Sequence, residues 1–436
     1  MKPLLLSPLL FVSSLPWAQT PFGSISQDEL EMAEYPDDPE APAVILLDVG
    51  LSRFEQTDAG GFQVIYERRT RIKILSEAGI DHADVAIPYY RSGSSTERVY
   101  DIEGSTYNID NGERIVSRLD PAQAFTEQIN ESVQLRKFAM PNVKAGSVIE
   151  YRYKLSTPNV FNFRDWEFQN DVPTLYSEYV VRLIPFYQYQ WLLQGASKFA
   201  RQRSFEATGI ERQYGRVTYR DMVHQYVMTD VPAFKDEAFI TSRNDYVIKI
   251  DFQLAKIIQT DGVERDIITT WPKMVSDLLK DEDLGKFVRK CEKSADDILD
   301  IDAVAALPEA KAFNQIVQAV KCAFKWNGRN GKYATQRLKE LLKSKRGNAA
   351  DLNLMTVGLL NAAGIEASPV VISTREHGRI TTDYPFMSMF NYVIILARVD
   401  GKLVLSDATD LHCKNNRIPA RCINDKGLII RKGEAD

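Results

Sequence analysis

Histidine and cysteine are scarce: four of each in 436 residues. That excludes a disulfide framework and a metal-rich chain, and no C-x-x-C or Cys/His cluster has metal-ligand spacing. Neither charge sign dominates, with 54 Lys and Arg against 59 Asp and Glu and a net of −5, so the basic footprint of a nucleic-acid binder is missing. Beyond the first twenty residues no apolar run approaches the roughly 20 residues needed to span a bilayer. There is no internal repeat and no low-complexity segment. What the chain does have is an ordinary apolar fraction of 44%, which excludes general disorder, and a length that accommodates two or three domains.

The N-terminus, MKPLLLSPLLFVSSLPWAQT, begins with Lys2, continues through an apolar core from Leu4 to Leu15, and ends near Ala18, a small residue suited to cleavage. This three-part pattern is that of a secretory signal peptide, expected over 1–19. The chain is expected to be exported, to the periplasm or the cell surface, with no transmembrane segment after processing. Cys291, Cys322, Cys413 and Cys422 would then meet oxidising conditions, and Cys291–Cys322 and Cys413–Cys422 pairings compete with four free thiols.

Residues 20–44, with Pro36, Pro39 and Pro42, read as an exposed lead-in. From 45 to 255 the period is two. Ile149, Tyr151, Tyr153 and Leu155 alternate with polar residues, as do Ile72 and Ile74, and Ile248 to Leu254. Turn signals separate these runs, and Asn111-Gly112 suits a two-residue hairpin. An antiparallel, sandwich-like β-rich domain is expected. Residues 256–303 read as a helical connection. From 304 to 436 come helical stripes, among them Phe313, Ile316, Val317, Val320 and Phe324, and a helix through Leu352, Met355 and Leu359 with Gly364 beyond its end. Strand-like runs follow at Pro369–Ser373, Met389–Val399 and Leu403–Ser406, with Asp400-Gly401 as a hairpin signal. The overall expectation is an α+β multidomain chain.

Three short segments of the second half carry chemistry by their order. Gly347-Asn348-Ala349-Ala350-Asp351 precedes the apolar helix, Phe390-Asn391-Tyr392-Val393 lies on a strand, and Ser406-Asp407-Ala408-Thr409 ends the next. In that order they resemble the transglutaminase-like, papain-related core. That family implies a Cys at the helix start, a His on the first strand and an Asp on the second. Here Ala349 stands at the Cys position and Tyr392 at the His position, leaving Asp407. The resemblance therefore implies a degenerate, non-catalytic site with no cofactor or metal. Its cleft would bind through Asn348, Asp351, Tyr392 and Asp407, with Trp326 near its mouth. An active acyltransferase or cysteine-type peptidase would need non-standard residues, the best candidates being Cys413, His412 and Asp407. A purely structural envelope component is the third reading.

The first half resembles the uncharacterised domain that precedes such cores in exported proteins of Gram-negative bacteria. The matching residues include Ile72-Lys73-Ile74-Leu75, Ile87-Pro88-Tyr89-Tyr90, Phe138-Ala139-Met140-Pro141-Asn142-Val143, Gly146-Ser147-Val148-Ile149-Glu150-Tyr151 and Asp165-Trp166-Glu167-Phe168-Gln169. Tyr89, Tyr90, Phe161, Phe163, Trp166 and Phe168 are candidates for a ligand surface, with sheet core as the plainer role for such rings. The expected partner is a peptide, a glycan or a protein of the bacterial envelope.

Overall fold

The computed structural model describes residues 20–92, 95–130, 133–161, 163–209, 211–235, 242–267, 270–382 and 385–433. The expected leader, 1–19, lies outside them. The described residues divide into two compact units, the first within 20–235 and 247–265, the second within 242–246 and 266–433.

The first unit is β structure. Its main sheet has eight strands in the spatial order Arg201–Glu206, Met222–Val231, Thr174–Leu183, Ala43–Gln56, Phe62–Ile74, Val148–Thr157, Arg98–Asp110 and Glu113–Arg118. Period-2 sequence builds it: Ile72, Ile149, Tyr153 and Leu155 enter one core, shared with two four-stranded sheets through Val85, Phe138, Trp166, Ile250 and Phe252. Asn111 and Gly112 have φ of 51° and 81°, the left-handed pair a type I′ hairpin requires. One pairing departs from the antiparallel expectation. Ala43–Gln56 runs parallel to Thr174–Leu183, a contact between distant segments that local periodicity does not encode.

The lead-in is exposed along much of its length, but Ile25, Glu29, Leu30, Tyr35 and Ala41 are buried, so it departs from the expectation in part. Ser26 and Glu29 form a capping box on the short helix Gln27–Glu31. Ile25, Leu30 and Tyr35 then pack on Val44, Leu46, Tyr107 and Val148, a second core built from alternate strand residues. An ion network fixes the segment. Arg71, 1% exposed, reaches Glu29 at 2.6 Å and Glu150 at 3.0 Å, and Arg69 also pairs with Glu150.

The second unit is a helical layer on a four-stranded antiparallel sheet, ordered Lys402–Ser406, Tyr392–Val399, Ala367–Ile372 and Gly427–Ile429. The helix Ala349–Ala362 is buried nearly all round, its apolar residues spread over every face and its polar Asp351, Asn353 and Thr356 hydrogen-bonded within the unit. Gly364 follows with φ of 80°, and Asp400-Gly401 forms the hairpin turn at 48° and 74°. Residues 256–303 are not merely a connection. The first of them extend the first unit's strand Lys249–Ile258, whereas Trp271–Lys280 and Gly285–Lys293 bury Met274, Leu278, Phe287 and Cys291 in the second unit's core. The expected strand from Met389 starts at Tyr392, because Met387–Met389 form a 3-10 turn. All four cysteines are free, so neither expected pairing forms.

Candidate functional site

The helix Ala349–Ala362 starts at a tight N-terminus. Asn348 accepts from the Asp351 N–H at 2.7 Å, and Asp351 accepts from the Asn348 N–H at 2.8 Å, so each satisfies an orphan donor of the first turn. Asp351 also takes the N–H and hydroxyl of Thr335, and Asn348 Nδ2 donates to the Tyr333 carbonyl. Gly347 is required there, since a Cβ would sit 2.6 Å from Asp351 Cβ. Asn348 and Asp351 are thus fully engaged in holding the helix start and are closed to solvent.

Ala349, Tyr392 and Asp407, far apart in sequence, come together. Ala349 and Tyr392 belong to one apolar cluster with Val370, Ile372, Ile394 and Cys422. The Tyr392 hydroxyl donates to Asp407 Oδ2 at 2.9 Å. All three residues are 0% exposed. The Asp407 carboxylate is saturated: Asn353 Nδ2 donates to it at 2.9 Å, and the Thr409 N–H and hydroxyl both reach Oδ1. Asn353 in turn accepts the Ala408 N–H at 2.7 Å, so one side chain ties the helix to the strand end carrying Asp407.

Arg421 closes the outer side. Its guanidinium donates to the Tyr392 hydroxyl at 3.1 Å and to Thr409 Oγ1, and lies 4.4 Å over the Trp326 ring. Trp326 is half-buried, with Nε1 on the Arg329 carbonyl. Burial first, then the Asp407 charge, hold the Tyr392 phenol far above its ordinary value. The same two causes push the Cys422 thiol up to about 12. In this arrangement the Tyr392 phenol and the Cys422 thiol both hold their protons near neutral pH.

Sequence reasoning missed Asn353, Arg421 and Cys422. Asn353 left a signal, a polar residue inside an apolar helix one turn from Ala349. Arg421 and Cys422 left none, because they arrive on the 3-10 turn Ala420–Cys422 with no periodicity around them.

Cys413 and His412 lie elsewhere, lining a cavity of about 560 Å³ with Phe313, Gln318 and Val404. Cys413 Sγ donates to the Arg417 carbonyl at 3.6 Å, and among the described residues it has no bond to the His412 ring. Burial pushes the Cys413 thiol up. Of the six candidate rings in the first unit, Phe163, Trp166 and Phe168 are core, Tyr89 is partly buried, and Tyr90 and Phe161 are exposed.

Residues 62–226, within the first unit, match the family model of DUF3857, a domain of unknown function with a solved structure. The chain overlays a "putative protease" from Parabacteroides distasonis ATCC 8503 with a TM-score of 0.62 at 13% identity, covering 89% of this chain and 70% of that one. This likeness is one of fold. A "putative nutrient binding protein" from Legionella pneumophila subsp. pneumophila str. Philadelphia 1 gives a TM-score of 0.23 at 10% identity over 74% of this chain and 94% of that one, too weak to indicate a common fold. No curated protein matches.

Proposed function

We propose that this chain is an exported protein that acts by binding, and that its second unit is a transglutaminase-like, papain-related domain whose reacting groups have been replaced. The observation that carries this reading is the Tyr392–Asp407 hydrogen bond, sealed beneath Arg421 with Ala349 beside it. A helix N-terminus, a strand and a strand end converge as acyl-transfer chemistry needs, but a methyl group and a phenol occupy the nucleophile and base positions. The carboxylate that would orient an imidazole instead accepts from Tyr392, Asn353 and Thr409. The fold likeness to the "putative protease" accords with a descent from hydrolytic ancestors and brings no activity with it.

Because the old site is filled, binding to an envelope peptide, glycan or protein falls to other surfaces. No helix among the described residues is long and apolar enough to cross a membrane. The test is turnover: purified chain incubated with glutamine peptides plus an amine acceptor, and with a peptide library, should yield no transfer and no cleavage. Turnover abolished by Asp407→Asn or Cys422→Ser would overturn the reading.

One observation favours a second reading, the shared cavity of Cys413 and His412. It requires a reactive thiol. The expected result is that iodoacetamide labels Cys413 no faster than a model thiol at pH 7; fast labelling removed by Cys413→Ala would support the enzyme instead.

A further inference from the structure

The first unit holds a cavity of about 690 Å³, within the roughly 300–1,000 Å³ typical of small-molecule sites. Its floor is aromatic, formed by Phe163, Trp166 and neighbouring tyrosines that belong to the core, all under a tenth exposed. One ring differs. Tyr90 lines the same cavity and is 58% exposed, so its face is available to a ligand.

Two of the charged groups in the wall, Arg68 and Arg164, are paired within the protein, and Glu167 adds a further carboxylate. Arg68 grips Asp48 in a two-point contact at 2.9 and 2.7 Å. Arg164 pairs with Glu97 at 3.1 Å and donates to the Pro88 carbonyl. Each guanidinium thus faces a carboxylate of the protein itself, although the Arg164 Nε donor has no hydrogen-bond partner among the described residues. The remaining groups are short-range donors and acceptors. Asp165 lines the cavity against Asp251 and is exposed there; partial loss of water around it and the Asp251 charge push its carboxyl up, and its oxygens are open to hydroxyl donors. Asn159, also in the wall, accepts the Phe161 N–H through Oδ1, and among the described residues its amide nitrogen has no partner.

A ring face at the mouth, an apolar floor and a wall of hydrogen-bonding groups, its two guanidiniums each facing a carboxylate, make up the chemistry that recognises a ligand with one C–H face and many hydroxyls. We propose that this cavity binds a neutral oligosaccharide, with Tyr90 stacking on a sugar ring and Asp165 and Asn159 bonding its hydroxyls. The proposal rests on the binding half of the reading given for the whole chain, but not on the state of the second unit.

The test is titration calorimetry and saturation-transfer NMR on the full chain with chitotetraose, cellotetraose and maltotetraose, beside a sulfated heparin tetrasaccharide and a tetra-alanine peptide. Saturable binding of at least one neutral tetrasaccharide is expected. It should weaken at least tenfold in Tyr90→Ala and in Asp165→Ala, and be unchanged in Leu403→Ser, an exposed position of the second unit. Tyr90 is exposed, so its variant should melt with the parent, and Tyr90→Phe should keep most of the affinity. Three results would each overturn the proposal: no saturation by any neutral sugar, binding confined to the sulfated sugar or the peptide, or unchanged affinity in a folded Tyr90→Ala. Each would leave the absence of turnover in the second unit standing, and turnover there would leave sugar binding standing.

Discussion

The polar groups around Asp407 in the second unit and around Asp165 in the first differ in what uses their hydrogen-bonding capacity. Asp407 is sealed, and its oxygens accept from Tyr392, Asn353 and Thr409. Asp165 faces a cavity, beside an exposed ring and an amide with capacity to spare. A buried polar group that is fully satisfied serves the fold, and one left partly unsatisfied at a cavity wall is available to a ligand. Position in a sequence motif is therefore a weaker guide to function than an inventory of free donors and acceptors.

Removing Asp407 should have the largest effect. Asp407→Ala would strand four buried or half-buried donors and leave Arg421 without its nearby carboxylate. A loss of about 3–5 kcal/mol in the second unit is expected from urea denaturation followed by tryptophan fluorescence. A cost near zero would mean that the cluster is not structural.

Tyr392→Phe is milder, since Asn353 and Thr409 still hold the carboxylate. About 2 kcal/mol should be lost in the same assay, the scale of one hydrogen bond to a charged group. The Ala349→Cys, Tyr392→His double variant sharpens the comparison further. If the scaffold still holds catalytic geometry, the new thiol should alkylate more than tenfold faster than Ala349→Cys alone, with an imidazole beside it to take the proton.

The smallest effect belongs to Asp165. Between pH 3.8 and about 8 the folded chain holds a proton there that the unfolded chain releases, so stability falls as pH rises through that window. Asp165→Asn carries no such proton. It should match the parent near pH 3.5 and exceed it by about 1 kcal/mol at pH 8, a modest figure because this side chain is exposed and screened. Thermal melts at the two pH values would check it, and a variant less stable than the parent at pH 8 would place Asp165 among the purely structural groups.

Much of the fold was legible because its signals are local. Asn111-Gly112 and Asp400-Gly401 set two hairpins through positive φ, and the apolar helix beginning at Ala349 ends where Gly364 permits. The convergence of Ala349, Tyr392 and Asp407 was legible as a resemblance in order. The closure of the site was not. It depends on Arg421 and Asn353, whose partners lie 29 and 54 residues away in sequence. The lead-in was read only in part for a related reason. Its prolines suggested an exposed segment, yet Glu29 within it is buried against Arg71, 42 residues further on. Pairings of that range leave no period in the sequence.

The ties on the lead-in also fix a point of attachment. Arg69 donates to the carbonyls of Thr20 and Pro21, and the Glu150 carboxylate takes the Gly23 N–H. Whatever is joined ahead of Thr20, whether an uncut leader, a fluorophore or an affinity handle, would leave the molecule beside the inner strands Phe62–Ile74 and Val148–Thr157 of the eight-stranded sheet. A spin label there would report the tumbling of that sheet, and a bulky fusion would crowd the face over those two strands.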